Sequence, residues 1–259
     1  MTSSNNATIG PFNWIIPVTS ICSITVIALY TLPRQQYFGL FIVIWWATAV
    51  LISLNNSFLS EPTEWSDGDW FGITLLSTWP FLVLGSISLM FRKFQSIRKC
   101  IFEIPTWTLI LLQVNRLSGA SVIYQYKVGG HLPKYIGVQT SILDIFIATS
   151  AIPLGLLVRR KGLHTTYVRE WTWLWHSIGL FDMMSAFGMR IMNYFGVGGE
   201  WISQPPVSML GFHPFALIIL FQQTLAMGIH LFFILNTEVC IEVNQRQFLR
   251  LPVVVPRRI

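Results

Sequence analysis

The sequence predicts an all-α polytopic membrane protein: a bundle of seven transmembrane helices, N-terminus outside and C-terminus in the cytoplasm. Three observations predict it. Seven apolar stretches fall at about residues 12–31, 37–58, 71–91, 101–125, 137–158, 171–194 and 214–236. Each meets the length of about 20 residues that a helix needs to cross a hydrocarbon core of about 30 Å. Only 11% of the 259 residues are charged, against about 25% in a soluble domain. The basic residues, finally, gather on one side of the alternating loops. Lipid offers the backbone no hydrogen-bond partner, so helices or a closed barrel are the only spanning structures. Long apolar runs without period-two alternation exclude the barrel.

Each element has its own justification. Residues 1–11 are polar and uncharged and lack the basic region of a cleavable signal peptide, so the first span is expected to stay as an anchor. Spans one and two are joined by the short turn Leu32-Pro33-Arg34-Gln35-Gln36. The acidic loop 61–70 follows, bracketed by Trp65 and Trp70, as aromatic residues at the headgroup level anchor helices. Pro17, Pro80 and Pro153 lie in spans one, three and five, where a missing backbone donor can kink a helix. Span five carries a small-residue face, Asp144, Ala148, Ala151 and Gly155, which lets a neighbouring helix approach closely. Ser118-Gly119-Ala120-Ser121 of span four serves the same end. Residues 237–259 are expected to form a basic cytoplasmic tail, and residues 1–236 a single transmembrane domain.

Thirteen of the 17 basic residues fall on one predicted side: Arg34, then Arg92, Lys93, Arg98 and Lys99, then Arg159, Arg160, Lys161 and Arg169, then Arg246, Arg250, Arg257 and Arg258. The opposite loops hold only Lys127 and Lys134, with Glu61, Glu64, Asp67, Asp69 and Glu200. This is the positive-inside pattern. It accounts for the net charge of +6 without nucleic acid, and it makes the lipid bilayer of the plasma or inner cell membrane the expected partner. None of the three cysteines falls in an exterior loop, so no disulfide framework is expected. Cys100 and Cys240 are juxtamembrane, the placement of palmitoylated thiols.

The chemistry concentrates in spans four to seven. Arg116, Asp144, Asp182 and Arg190 are ionisable residues well inside spans, each costing at least about 2.5 kcal/mol at a helix centre on insertion scales. Arg116 and Asp144 fall at similar depth on consecutive antiparallel helices, so a charge pair is expected. Asn115, Asn193, Gln222 and Gln223 fall at matching depth. The result is a predicted polar layer in the outer half of the membrane, built from four consecutive helices. Spans one to three carry no ionisable residue, which places any function in the second half.

His176 and His230 form a second constellation nearer the cytoplasmic side. Two imidazoles are too few for a closed zinc site, which needs four ligands. Haem fits between them, but nothing else supports it. No cofactor is therefore expected, and His230 is read as a proton acceptor or relay. No HExxH pair, GxSxG elbow or phosphate loop occurs. No lysine lies in any span, so a Schiff base to a chromophore inside the bundle is excluded.

From span four onward the chain resembles a loose family of uncharacterised bacterial multi-pass membrane proteins. The resemblance is carried by Arg116 and Gly119, then Gly130, Leu132 and Pro133, then Gly137 and Asp144, then Gly179, Leu180 and Asp182, and finally Pro214 and His230. It covers about residues 113–232. Gln139-Thr140 departs from the family's small residue beside glycine, and His176 stands where the family more often has Asn, which argues against a shared His-pair metal site. The resemblance implies no activity; it points to the same Arg, Asp and His residues.

The expected function is binding or transport of a small polar or charged ligand, or of protons. Arg116 would hold an anionic group, Asp144 and Asp182 would pair it or exchange protons, and His230 would relay them. One alternative is an intramembrane enzyme using the paired Asp residues as acid and base. Another is a non-catalytic structural or interaction subunit whose buried charges only fix helix register.

Overall fold

A computed structural model of the chain describes residues 12–33, 36–54, 102–129, 132–194, 197 and 215–250. All regular structure among these residues is helical. α1 is Ile15–Thr31 and α2 is Gln36–Leu54. α3 is composite: α-helical over Thr106–Leu112, 3₁₀ over Gln113–Ser118, and α-helical again over Gly119–Gly129. α4 opens with a π-helical segment, Tyr135–Thr140, and continues as Ser141–Lys161. α5 is Thr166–Tyr194. α6 opens with a second π-helical segment, Ile218–Gln223, and continues as Thr224–Leu235. α7 is Thr237–Arg250. Predicted span three and the acidic loop 61–70 lie outside the described residues.

Three of these helices are long and apolar enough to cross a membrane: Gln36–Leu54, Tyr135–Lys161 and Ile218–Leu235. They mark a membrane protein. α1, at 17 residues, is a shorter apolar helix. α5 has ample length at 29 residues, but its polar residues, including Thr172, His176 and Asp182, dilute its hydropathy. Their side chains are buried, whereas Leu29, Leu51, Phe146 and Phe181 are exposed. Polar groups inside and large apolar groups outside are what an apolar solvent selects.

The centre of the described bundle is α6. Its apolar window is 67% buried, against 33% for α2 and for α4. Trp45 of α2 donates its indole N–H to the Leu220 carbonyl at 3.0 Å and packs on Phe221. The small face of α4 lies against α3. Ala148 and Ala151 are buried, and a Cβ added at Gly155 would sit 3.0 Å from the Leu111 side chain. Pro17 falls in the first turn of α1, where its missing N–H has no intrahelical acceptor to lose, so it does not act as a mid-span kink. Pro153 lies inside α4.

The two π segments share a local device. A π turn leaves helical carbonyls out of the regular i→i−4 ladder, and a buried carbonyl needs a donor. Ser141 Oγ donates to the Ile136 carbonyl at 2.8 Å, and Thr224 Oγ1 donates to the Ile219 carbonyl at 3.3 Å. In each case a hydroxyl placed just after the segment caps the carbonyl five residues back.

Residues 237–250 of the expected tail form a helix. The amphipathic sequence of α7 buries Cys240 and Asn244. The turn between α4 and α5 contains Gly162 at φ +73°, a left-handed conformation that glycine adopts without a Cβ penalty. That turn presents the buried Leu163 N–H, which donates to Asn244 Oδ1 at 2.8 Å. α7 is thereby docked on the same end of the bundle as Arg159, Arg160 and Lys161. Burial pushes the Cys240 thiol up to about 12. A thiol held that far from its thiolate is a poor nucleophile, which corrects the expectation that Cys240 is an accessible acylation site. Cys100 lies outside the described residues.

Candidate functional site

Arg116 is the hub. It sits in the 3₁₀ segment of α3 and is buried. Gly119 is one helical turn on: a Cβ there would fall 2.9 Å from Asp144 Cβ and from the Ser141 carbonyl, so its absence lets α4 approach. Arg116 Nε donates to Asp144 Oδ1 of α4 at 2.6 Å. Nη2 donates to Asp182 Oδ2 of α5 in a short contact. Nη1 lies 3.4 Å from His230 Nε2 of α6. Four helices thus meet on one guanidinium, and each of its three nitrogens has a partner.

The network fixes the histidine tautomers. A guanidinium only donates, so His230 Nε2 accepts and the His230 proton is on Nδ1. His230 Nδ1 lies 2.9 Å from His176 Nδ1, which therefore accepts, leaving the His176 proton on Nε2. That Nε2 is buried without a hydrogen-bond partner. The His176 ring is stacked on Phe233 at 4.2 Å between centroids and meets Trp175 edge-on. Gly179 makes room for this end: any Cβ at 179 would collide with the His230 ring.

The sequence separates an outer Arg/Asp layer from an inner His pair. The structure corrects this: Asp144, Arg116, His230 and His176 form one continuous chain with Asp182 as a branch. Among the described residues Arg116 faces both carboxylates; the side chains of Arg190 and Asn193 on α5 lie outside the described residues. Asn115 is buried with neither amide atom paired, next to Arg116 in sequence but absent from its bonds. Among the described residues no cluster of three or more His, Cys, Asp or Glu can hold a metal ion.

A cavity of about 50 Å³ opens beside Arg116 and Asp144. Irregular segments of three helices contribute to its walls: Ser118 in the 3₁₀ segment of α3, Thr140 in the π segment of α4, and Gln222 and Gln223 in that of α6. Departures of this kind inside helices recur at functional sites. Gln222 is turned by α1. Its Nε2 donates to the Ile16 carbonyl, Thr19 Oγ1 and Ser20 Oγ, each at 2.9 Å. α1 therefore contributes to the polar interior, contrary to the expectation that spans four to seven build it alone. Thr19-Ser20 is the signal in the sequence; without ionisable groups it does not stand out from ordinary span hydroxyls. A larger groove of about 620 Å³ at the α6–α7 corner, lined by Arg169, Glu170 and Glu238, shares no residue with the cavity.

A family match places these residues. A domain of unknown function, DUF8737, matches residues 72–236, more than half of the chain. The chain belongs to this family. The DUF8737 domain takes in α3 to α6 and so contains the whole Arg116 centre and the histidine pair. The α1 partners of Gln222, and α7, lie outside it. Residues 113–232, which carry the resemblance, fall within this match, which supports an uncharacterised family. No curated protein and no solved structure matches the chain.

Proposed function

We propose that the chain is a seven-span protein of the cell membrane that binds a small polar or charged solute, or protons, at the Arg116 centre and moves it across the bilayer. The observation that carries this reading is the position of the centre. A buried Arg with two carboxylates and a histidine forms one wall of a polar cavity inside an apolar bundle. A network serving only to fix register needs no space beside it; here Asp144 borders a cavity of about 50 Å³. Orientation follows from charge. The exposed Arg159, Arg160 and Lys161 share their end of the bundle with α7, and that basic end is read as cytoplasmic.

The expected role of Arg116 narrows. Three of the five guanidinium N–H donors already face Asp144, Asp182 and His230, and among the described residues two carboxylates stand against this one guanidinium. The centre is better suited to a cation or a proton moving past Asp144.

The test is charge movement. Purified protein is reconstituted in vesicles holding a potassium diffusion potential, inside negative. The expected result is faster loss of that potential than in empty vesicles, and a return to the empty-vesicle rate in Asp144→Asn. Wild-type vesicles that hold the potential as long as empty ones overturn the reading.

A further inference from the structure

We infer that the cavity beside Asp144 is a binding site for one hard monovalent cation, sodium being the one that fits. This rests on the reading of the Arg116 centre as a solute site and names the solute class.

The first argument is charge. Among the described residues, the groups facing one another are Arg116 from α3, Asp144 from α4, Asp182 and His176 from α5, and His230 from α6. The tautomers derived above leave both histidines neutral. One guanidinium and two carboxylates then sum to a single negative charge, buried where an uncompensated charge is expensive. One monovalent cation closes the balance, whereas a divalent ion overshoots it.

The second argument is the donor set. Gln222 Nε2 faces the Ile16 carbonyl, which can only accept, so the amide cannot be flipped. Its Oε1 is therefore turned away from α1. That atom is buried, has no hydrogen-bond partner, and belongs to a residue that lines the cavity. Asp144 gives Oδ1 to the guanidinium and borders the same space. Ser118, Thr140 and Ser141 add hydroxyl oxygens to the wall. The Ser141 hydroxyl hydrogen is committed to the Ile136 carbonyl, so its oxygen is free to coordinate. Oxygen-only donors suit hard cations, and irregular helix segments at a membrane site are where such ions are coordinated. The third argument is size. About 50 Å³ admits a small ion with little of its water, not an organic solute.

The test is binding, read apart from transport. Detergent-purified protein is melted in sodium chloride and in N-methylglucamine chloride at equal ionic strength and mildly alkaline pH, followed by tryptophan fluorescence. The midpoint is expected to rise saturably with sodium and not with N-methylglucamine. Lowering the pH should weaken the apparent affinity, because a proton on Asp144 restores neutrality without the ion. Asp144→Asn should abolish the sodium response. Ser118→Ala should weaken it about tenfold, and this milder change keeps the test decisive if Asp144→Asn does not fold. Identical curves in the two salts, or a full sodium response in Asp144→Asn or Ser118→Ala, overturn the site. Sodium stabilisation without charge movement in vesicles leaves the site and removes the transport reading. Charge movement without sodium stabilisation does the reverse.

Discussion

The two ends of the buried centre differ. At the cavity end, Asp144 has a side chain 14% exposed and is surrounded by helix segments that depart from α geometry. At the dry end, Asp182 is 2% exposed and lies with His230 and His176 on regular helix, walled by Trp175 and Phe233. One guanidinium serves both. The difference teaches that equal residue types, an Asp on the same Arg, acquire different roles from their surroundings. Asp182 is a buried counter-ion to Arg116. Asp144 faces space and hydroxyls, so it can exchange what it binds.

The comparison can be broken most strongly at the shared residue. Arg116→Ala leaves two carboxylates and the His230 imidazole without their common donor; removing one partner of a buried ion pair costs about 3–5 kcal/mol. Thermal unfolding should show this loss, and a variant as stable as wild type would mean that neither end depends on the guanidinium. Next, Gly179→Ala drives a methyl into the His230 ring, and overpacking costs about 1–3 kcal/mol. Its damage should be confined to the dry end, with the sodium response of the cavity retained.

The two carboxylates sharpen the comparison directly. Asp182→Asn weakens a charge-assisted bond in a dry setting, a loss of about 1.5–3 kcal/mol. Asp144→Asn should cost less, on the order of 1 kcal/mol, because Asp144 is the more exposed of the two carboxylates. Equal shifts in unfolding midpoint would erase the distinction between the ends. The smallest effect is expected for Ser141→Ala, about 1 kcal/mol for the lost bond to the Ile136 carbonyl. At the basic end, Cys240 should resist a water-soluble maleimide in the folded protein and react only on unfolding.

Much of the centre is legible in the sequence, for a simple reason. An Arg or Asp within an apolar run is costly in lipid, so Arg116, Asp144 and Asp182 stand out by contrast alone. Depth along antiparallel spans then places Arg116 beside Asp144. The same contrast fails for neutral groups. Gln222 is visible, but its orientation toward Ile16 and Ser20 depends on how α1 packs on α6, and no one-dimensional pattern encodes that. His230 and Arg116 appear to lie at different depths when residues are counted from span ends. The 3₁₀ segment of α3 and the π segment of α6 change the rise and phase of their helices, so equal residue counts no longer mean equal depth.

By itself the sequence determined the solvent and the inventory. Apolar runs of fixed length and one-sided basic loops are local properties, set by the thickness and charge of a bilayer. Tertiary structure alone decided that Arg116 bonds to residues of three other helices, that both histidines join this chain, and that a cavity remains beside Asp144. Those are properties of rotation and separation between helices, and they arise only when Gly119, Gly155 and Gly179 let the backbones come close.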